Sequence, residues 1–146
     1  MIKISKITDY GIVLLTHCTR HGADKLWTAK GLSEATKIPL PTVGKILKIL
    51  SRGGILSSVR GTRGGYKLKF SPFQVNVAQV IQVLEGQLAI TDCSQKGNHS
   101  CEIFSVCPNK SNWQKINSVV YRSLQSLSLA DMSRPFLEVP FEVQKV

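Results

Sequence analysis

The stretch "PTVGKILKILSRGGILSSVRGTRGGYKLKF", residues 41–70, changes its hydrophobic periodicity halfway along. In the first half, apolar residues recur at i, i+3, i+4 and i+7, which predicts an amphipathic helix that ends at Gly53-Gly54. This apolar stripe consists of Val43, Ile46, Leu47 and Leu50. In the second half, Ile55, Leu56 and Val59 precede the turn "RGTRGG", and Tyr66, Leu68 and Phe70 alternate after it. This pattern predicts a β-hairpin, with the three glycines supplying positive φ.

Basic and polar side chains occupy the other faces of this helix and the tip of this hairpin. Taken alone, the helix is equally well explained as a core helix with a solvated lysine face. The basic hairpin favours DNA binding, because such a wing reaches phosphates or the minor groove while the helix enters the major groove. A P-loop is excluded, since no Lys-Ser/Thr and no helix follow the glycines. The predicted DNA contacts are Thr42, Lys45, Lys48, Arg60 and Arg63.

Two further helices are predicted before residue 41. The first contains "ITDYGIVLLTHC" and stops near Gly22, and the second contains "WTAKGLSEAT" with Thr28 as its N-cap. The turn "KIPLP" follows, and Pro41 suits a first helical position because its missing N–H is not needed there. The predicted fold is mainly α with a small β-hairpin wing, namely a winged helix-turn-helix followed by a long C-terminal dimerisation helix.

The charge distribution supports a nucleic-acid partner. The chain has 146 residues and a net charge of +10. Residues 1–73 contain 13 Lys/Arg and 3 Asp/Glu, whereas residues 74–146 contain 6 of each. A one-sided basic region is expected of a protein that binds the phosphate backbone. No apolar run is long enough to span a membrane, and the N-terminus lacks a signal peptide, so a cytoplasmic protein is expected.

The neutral second half begins with a helix predicted after Asn76 and ended by Gly86. A long helix, "NWQKINSVVYRSLQSL", follows the cysteines, and Ser128 with Asp131 predicts a capping box for a last short helix. The long helix has an apolar side of Trp113, Ile116, Val120, Leu124 and Leu127. It either forms a homodimer interface or folds back on its own chain. The predicted domains are a winged helix-turn-helix DNA-binding domain, 1–73, and a second segment, 74–146, that contains the cysteine loop and the dimerisation helices.

Three of the four cysteines lie in one polar loop, "CSQKGNHSCEIFSVC". Cys93, Cys101 and Cys107 follow a C-x7-C-x5-C spacing, which matches neither the paired knuckles of structural zinc nor a common ferredoxin run. An odd number of thiols in the reducing cytoplasm favours a metal site over disulfides. His99 is a candidate fourth ligand or a solvated loop residue. Cys18, on the apolar side of the first helix, is predicted to be a buried small hydrophobe.

The chain resembles the IscR/NsrR family of winged-helix iron–sulfur regulators over about residues 1–134. The similar motifs are "SKITDYG", "SSVRGTRGGYKL", the three cysteines, and "NW" after the last of them. Further segments, "LEGQLAITDCS" and "SLADM", look most like the branch that regulates SUF iron–sulfur cluster assembly. The resemblance implies a 2Fe–2S or 4Fe–4S cluster on Cys93, Cys101 and Cys107, a homodimer, and double-stranded operator DNA as the partner.

The resemblance also bears on the fourth ligand. IscR-like members place a histidine three residues after the last cysteine, where this chain has Lys110. NsrR-like members use a carboxylate from the partner's first helix, and Asp9 in "TDYG" matches that position. A carboxylate oxygen is a hard, easily displaced ligand, which suits a sensor. Asp9 also has a purely structural explanation, since a carboxylate in a first turn is favoured by the helix dipole.

Other functions leave distinct signatures. A nitric-oxide- or redox-responsive repressor would use the same residues, whereas a thiol–disulfide regulator would bind no metal. A zinc-stapled DNA-binding protein would hold zinc without sensing. An enzyme is not expected, because the sequence shows no catalytic triad, paired carboxylates or HExxH motif.

Overall fold

The computed structural model describes residues 3–95, 97 and 100–134. These residues form six α-helices, one antiparallel hairpin and a 3-10 turn, Asp92–Ser94. In chain order the helices and strands are α1 Lys6–Gly22, α2 Ala29–Thr36, α3 Leu40–Arg52, β1 Leu56–Val59, β2 Gly65–Leu68, α4 Val77–Glu85, α5 Lys110–Gln125 and α6 Leu129–Ser133. The mainly helical fold with a small hairpin wing is as predicted. No helix within these ranges is both long and apolar enough to cross a membrane.

Both ends of helix α1 are defined by identifiable residues. The Ser5 hydroxyl accepts the Thr8 N–H at 3.3 Å, which satisfies an N-terminal donor. The Ser5 N–H donates to a Glu85 carboxylate oxygen at 2.7 Å and so ties α1 to the end of α4. Burial acts to raise the pKa of Glu85, but hydrogen bonds from Ser5 and Thr8 outweigh it and leave that pKa lowered. Gly22, at φ +134°, ends the helix as predicted.

Helices α2 and α3 form the predicted helix-turn-helix. The Thr28 hydroxyl caps α2 by accepting the Gly31 N–H at 3.0 Å. Lys37 then adopts a left-handed conformation, φ 62°, and its N–H returns to the Ser33 carbonyl at 2.9 Å. Pro41 lies in the first turn of α3, one residue after its start. The predicted apolar stripe of α3 is confirmed, because Val43, Ile46, Leu47 and Leu50 are all fully buried.

The hairpin pairs Leu56 with Leu68 and Val59 with Gly65. Its turn corrects one prediction, since only Gly61 of the three glycines has positive φ, +113°. The other two are required by close backbone approach. A Cβ at Gly64 would lie 2.3 Å from the Val59 carbonyl oxygen, and one at Gly65 would lie 2.6 Å from that of Trp27. The predicted strand alternation of Tyr66, Leu68 and Phe70 also fails at Phe70, which lies beyond β2 and is 50% exposed.

The two predicted caps, Asn76 and Ser128, lie side by side, and each forms a capping box. Asn76 caps α4 together with Gln79, and Ser128 caps α6 together with Asp131. The segments preceding the two helices pair through their backbones. The Val77 N–H donates to the Leu127 carbonyl at 2.9 Å, and the Leu129 N–H donates to the Val75 carbonyl at 2.8 Å. The chain that leaves α5 is therefore fastened to the start of α4.

One hydrophobic core lies between α1, α3, the wing strands and α4. Val75, Val80 and Leu129 belong to it, so residues on both sides of the predicted boundary between 73 and 74 share this core. Leu129 is completely buried although it lies near the end of the described chain. Truncating such a side chain to alanine typically costs about 2–5 kcal/mol, so α6 contributes to the stability of the DNA-binding half.

Helix α5 differs from the others because none of its residues is buried. Of its predicted apolar side, Trp113 is 39% and Ile116 45% exposed, whereas Val120 and Leu124 are half-buried. Leu127 is exposed and follows the end of the helix. Helix α5 contacts α4 and the 3-10 turn of its own chain. Its remaining apolar surface is open in the single chain.

Candidate functional site

The exposed face of α3 carries three cations. Lys45, Lys48 and Arg52 are exposed, because they lie on the side opposite the buried stripe. They line a shallow groove of about 460 Å³ together with Pro41, Gly44 and Ile49. Thr42, also predicted as a contact, is half-buried near the start of the helix.

A second groove joins α3 to the wing. It has a volume of about 480 Å³ and is lined by Lys48 and Arg52 from the helix and by Arg60 from the hairpin. Lys48 and Arg52 line both grooves, so the basic surface runs without interruption from α3 to the wing. The residues that line either groove include no carboxylate. This surface suits a polyanion.

Two arginines of this surface differ from the predicted set of contacts. Arg63 is exposed in the hairpin turn and does not line the second groove. Arg52 was not among the predicted contacts, yet it lies where the helix meets the wing. Its position four residues after Lys48, on the same helix face, is the sequence signal that identifies it.

Trp27 anchors the base of the wing to the end of α1. Its backbone exchanges two hydrogen bonds with Tyr66 of β2, both of 2.8 Å. Its indole N–H donates to the Gly22 carbonyl at 3.2 Å. The His17 ring meets the indole edge-on, with centroids 5.2 Å apart. Burial, followed by the charges of His21 and Lys25, lowers the pKa of His17.

The three loop cysteines line one cleft of about 410 Å³. Cys93 is buried, whereas Cys101 and Cys107 are half-buried. The remaining lining residues are Thr91, Asp92 and Trp113. Cys18 lies apart from this cleft, in the hydrophobic core, where burial raises the pKa of its thiol to about 12. The structure therefore separates three sulfur donors that line one cleft from one inert thiol, and the burial of Cys18 is as predicted.

The donors of this cleft fit a soft metal centre in their chemistry. Three thiols face a common space, and the Thr91 hydroxyl lies 3.2 Å from the Cys93 sulfur. Within the described ranges, no three His, Cys, Asp or Glu side chains stand close enough together to hold a single metal ion.

The candidate fourth ligands occupy different places. Asp9 is exposed in the first turn of α1 and does not line the cleft of its own chain. His99 lies outside the described residues. Asp92, which sequence reasoning missed, lines the cleft and accepts a hydrogen bond from the Ser100 hydroxyl at 3.3 Å. Its position next to Cys93 was the available signal.

The segment before the cleft is fastened to α5 by one side chain. The Asn117 amide oxygen accepts the Ile90 N–H at 3.0 Å, and its amide nitrogen donates to the Leu88 carbonyl at 3.4 Å. Trp113, one turn earlier on α5, forms a wall of the cleft. Helix α5 therefore contacts both the cleft and the segment that precedes it.

Comparison with known families gives a match along nearly the whole chain. A family model described as "Rrf2: Iron-dependent Transcriptional regulator" matches residues 4–135. Protein rrf2 of Nitratidesulfovibrio vulgaris is 26% identical over 133 residues, which cover 91% of this chain and 88% of that protein. The HTH-type transcriptional regulator NsrR of Halalkalibacterium halodurans is 24% identical over 131 residues, covering 90% of each chain.

Solved structures agree with this match. IscR of T. potens superposes with a TM-score of 0.68 at 28% identity, covering 90% of this chain and 85% of that one. The global cysteine regulator CymR of B. subtilis has the same fold, with a TM-score of 0.68 at 24% identity, covering 91% of this chain and 97% of its own.

Proposed function

This chain belongs to the Rrf2 family of transcriptional regulators, and we propose that an iron–sulfur cluster switches its binding to operator DNA. It is a DNA-binding regulator and not an enzyme, in keeping with its relatives. The observation that carries the proposal is the cleft, in which three loop thiols meet beside a helix with no buried residue. The reducing cytoplasm, the expected compartment, keeps these thiols available as ligands.

The basic surface is assigned to the operator. In this assignment α3 enters the major groove, where Thr42 and Lys45 near its start meet base edges. Lys48 and Arg60, which share a groove, hold phosphates, and Arg63 extends the contact at the wing tip. The Trp27 anchor ties the wing to the end of α1, and β1 of the wing also contacts α3, so helix and wing engage the duplex together.

Cys93, Cys101 and Cys107 would hold the cluster, of either 2Fe–2S or 4Fe–4S type. Their thiolates are soft ligands that favour iron–sulfur centres. When bound, the cluster supplies a redox-active and chemically labile group. The protein contributes the cleft that holds the three thiols, and Trp113 and Thr91 line its walls.

The surface of α5 supports a homodimer. Trp113 and Ile116 expose apolar area along a helix that buries none of its own residues, and a second copy of the chain would cover it. Operators with two-fold symmetry are read by two-fold proteins, which requires such a pairing. In this arrangement the thiol cleft lies beside the interface, since α5 forms one of its walls.

Helix α1 would connect the cleft to the DNA-binding surface. Asp9 lies in its first turn, and the Gly22 carbonyl at its last turn accepts the Trp27 indole N–H. A helix of 17 residues is about 25 Å long, so α1 spans the distance between these two contacts. If Asp9 of the partner subunit ligates the cluster, a change at the cleft shifts α1 and, through Trp27, the wing. A ligand-operated switch requires an element with two positions, and a helix α1 that shifts in this way would be that element.

The target genes are assigned by resemblance. The segments "LEGQLAITDCS" and "SLADM" favour control of iron–sulfur cluster assembly genes. A second candidate, a nitric-oxide- or redox-responsive repressor, is favoured by Asp9 within "TDYG" and by the similarity to NsrR. Both candidates require the same cluster site.

Composition of the protein prepared without oxygen tests the cluster directly. The expected result is a coloured protein with stoichiometric iron and acid-labile sulfide and little zinc, because thiolates in a reducing compartment assemble the cluster. The measurements are the visible spectrum and metal and sulfide analysis. Zinc without sulfide would identify a zinc-stapled protein. A colourless, metal-free protein with a reversible disulfide would identify a thiol switch, and either outcome contradicts the proposal.

Asp9→Ala tests the fourth ligand. Three thiolates remain, so incorporation is expected to stay largely intact while the visible spectrum changes and the cluster is lost faster in air. Asp92→Ala is the matched control, because it removes the carboxylate that lines the cleft within the same chain. A spectral change in Asp92→Ala with none in Asp9→Ala would assign the ligand to Asp92. His99→Ala is expected to behave like the unmodified protein.

Mixed dimers decide whether Asp9 acts across the interface. In the first arrangement, one subunit carries Asp9→Ala and the other lacks the three loop cysteines, so the intact site faces a subunit that retains Asp9. Its spectrum is expected to match the unmodified protein. In the second, one subunit carries both defects, so the intact site faces a missing Asp9 and is expected to match Asp9→Ala. Identical spectra from the two arrangements would exclude ligation across the dimer.

A further inference from the structure

Lys110 occupies the place where a ligand is expected by resemblance, yet its side chain is engaged elsewhere. Its ammonium nitrogen lies 3.5 Å from the centroid of the Phe104 ring. An ammonium has no lone pair to donate to a metal, and its attraction to an aromatic face is electrostatic. Both side chains are half-buried, so solvent only partly screens this contact.

Each member of this pair is bound by its backbone to a different loop cysteine. The Phe104 N–H donates to the Cys101 carbonyl at 3.0 Å. The Lys110 N–H reaches the Cys107 carbonyl at 3.4 Å, and Lys110 is the first residue of α5. The cation–π contact therefore joins the turn at Cys101 to the turn at Cys107.

Apolar burial does little to order this part of the chain. Ile103 is 56% exposed and Val106 is 76% exposed, although both lie between the two cysteines. A backbone hydrogen bond of 3.1 Å from the Val106 N–H to the Ile103 carbonyl closes one local turn. A local turn of this kind sets the shape of one segment but does not set the separation of the two sulfur-bearing residues. A contact that spans both turns does constrain it.

We infer that Lys110 and Phe104 form a clamp that holds Cys101 and Cys107 at a set separation, which makes Lys110 a positioning residue of the thiol cleft. The inference rests on the proposed function only for the consequence that the clamp slows loss of the cluster. The clamp itself is a property of the chain without metal. It also gives a physical role to Lys110, which stands where the resemblance expects a histidine. The cation orders the loop from the start of α5, and the fourth coordination position is left to another group.

Hydrogen exchange on the metal-free protein tests the clamp. Lys110→Met and Phe104→Leu each remove one partner and keep most of the apolar volume. Each is expected to speed exchange at the Phe104, Val106 and Lys110 amides by about two- to five-fold, the range for a cation–π contact at a solvent-accessible site. Lys110→Arg keeps the cation and should retain most of the protection. Lys115→Met, at an exposed lysine further along α5, is the matched control and should change nothing.

The double variant Lys110→Met with Phe104→Leu separates a direct contact from two independent effects. If the pair forms one contact, the double variant exchanges no faster than either single variant. Effects that multiply in the double variant, or unchanged exchange in both single variants, would overturn the clamp.

Loss of iron and sulfide in air provides a second readout on the loaded protein. Cluster loss is expected to be about two- to five-fold faster in Lys110→Met and Phe104→Leu, with Lys110→Arg close to the unmodified protein. Equal rates in all variants would overturn the positioning role. If the unmodified protein holds no cluster, the proposed function fails, whereas the exchange measurements still decide whether the clamp exists.

Discussion

Replacing any one of Cys93, Cys101 or Cys107 with serine is expected to abolish the visible chromophore and to reduce iron and sulfide to background. The physical reason is that a serine hydroxyl remains protonated near neutral pH and is a hard donor, so it does not replace a thiolate on iron. The three thiols line one cleft, and no fourth cysteine lies there to substitute for a lost one. The measurements are the visible spectrum and the iron and sulfide content of protein prepared without oxygen.

Cys18→Ser makes the same replacement of a thiol by a hydroxyl, but at a site outside the cleft. The cluster is expected to remain, because Cys18 is 4% exposed in the core and burial keeps its pKa near 12. A hydroxyl placed there lacks the solvent it prefers, so a stability loss of about 1–3 kcal/mol is expected without loss of colour. A loop variant that retains its full iron and sulfide complement would remove that cysteine from the ligand set.

Replacing both Arg60 and Arg63 with alanine is expected to weaken operator binding by about tenfold to a hundredfold at physiological salt. Each phosphate contact that is lost lowers the number of counterions that the DNA releases on binding. For the same reason, the slope of log affinity against log salt should become shallower by about 1.8 for the two contacts. Arg60 shares a groove with two cations of α3, so its loss also interrupts the continuous basic surface. The measurement is the operator affinity at several salt concentrations.

A charge-matched double variant, Lys6→Ala with Lys30→Ala, controls for net charge. Both lysines are exposed in the basic half of the chain, and neither lines the two basic grooves. The control should lose little affinity and keep its salt slope, because general attraction is screened beyond about 8 Å at physiological salt. If the arginine variant keeps the affinity and slope of the unmodified protein, the wing makes no phosphate contact.

Most of the helices could be predicted because the information for a helix is local. Apolar spacing identified the stripe of α3, and short-range hydrogen bonds accepted by the side chains of Thr28, Asn76 and Ser128 fixed three helix starts. Each of these signals lies within four residues of the feature that it determines. The same holds for Cys18, whose burial follows from its place on the apolar side of α1.

The local sequence explains only one of the three glycines of the wing. Gly61 adopts the positive φ that a turn requires, which a sequence pattern predicts. Gly64 and Gly65 are needed for a different reason, namely the close approach of carbonyl oxygens at Val59 and Trp27. The approach of Trp27 joins residues almost forty positions apart, so no short pattern contains it.

The sequence by itself determined the helix-turn-helix, the wing, the one-sided positive charge and the grouping of three thiols in one loop. Only the tertiary structure decided that those thiols line a single cleft against Trp113, that Arg52 bridges the helix and wing grooves, and that α5 leaves its apolar side open. The physical reason is the range of the interactions. Helix caps and amphipathic spacing act within a few residues, whereas clefts, grooves and open faces arise only when distant elements pack together.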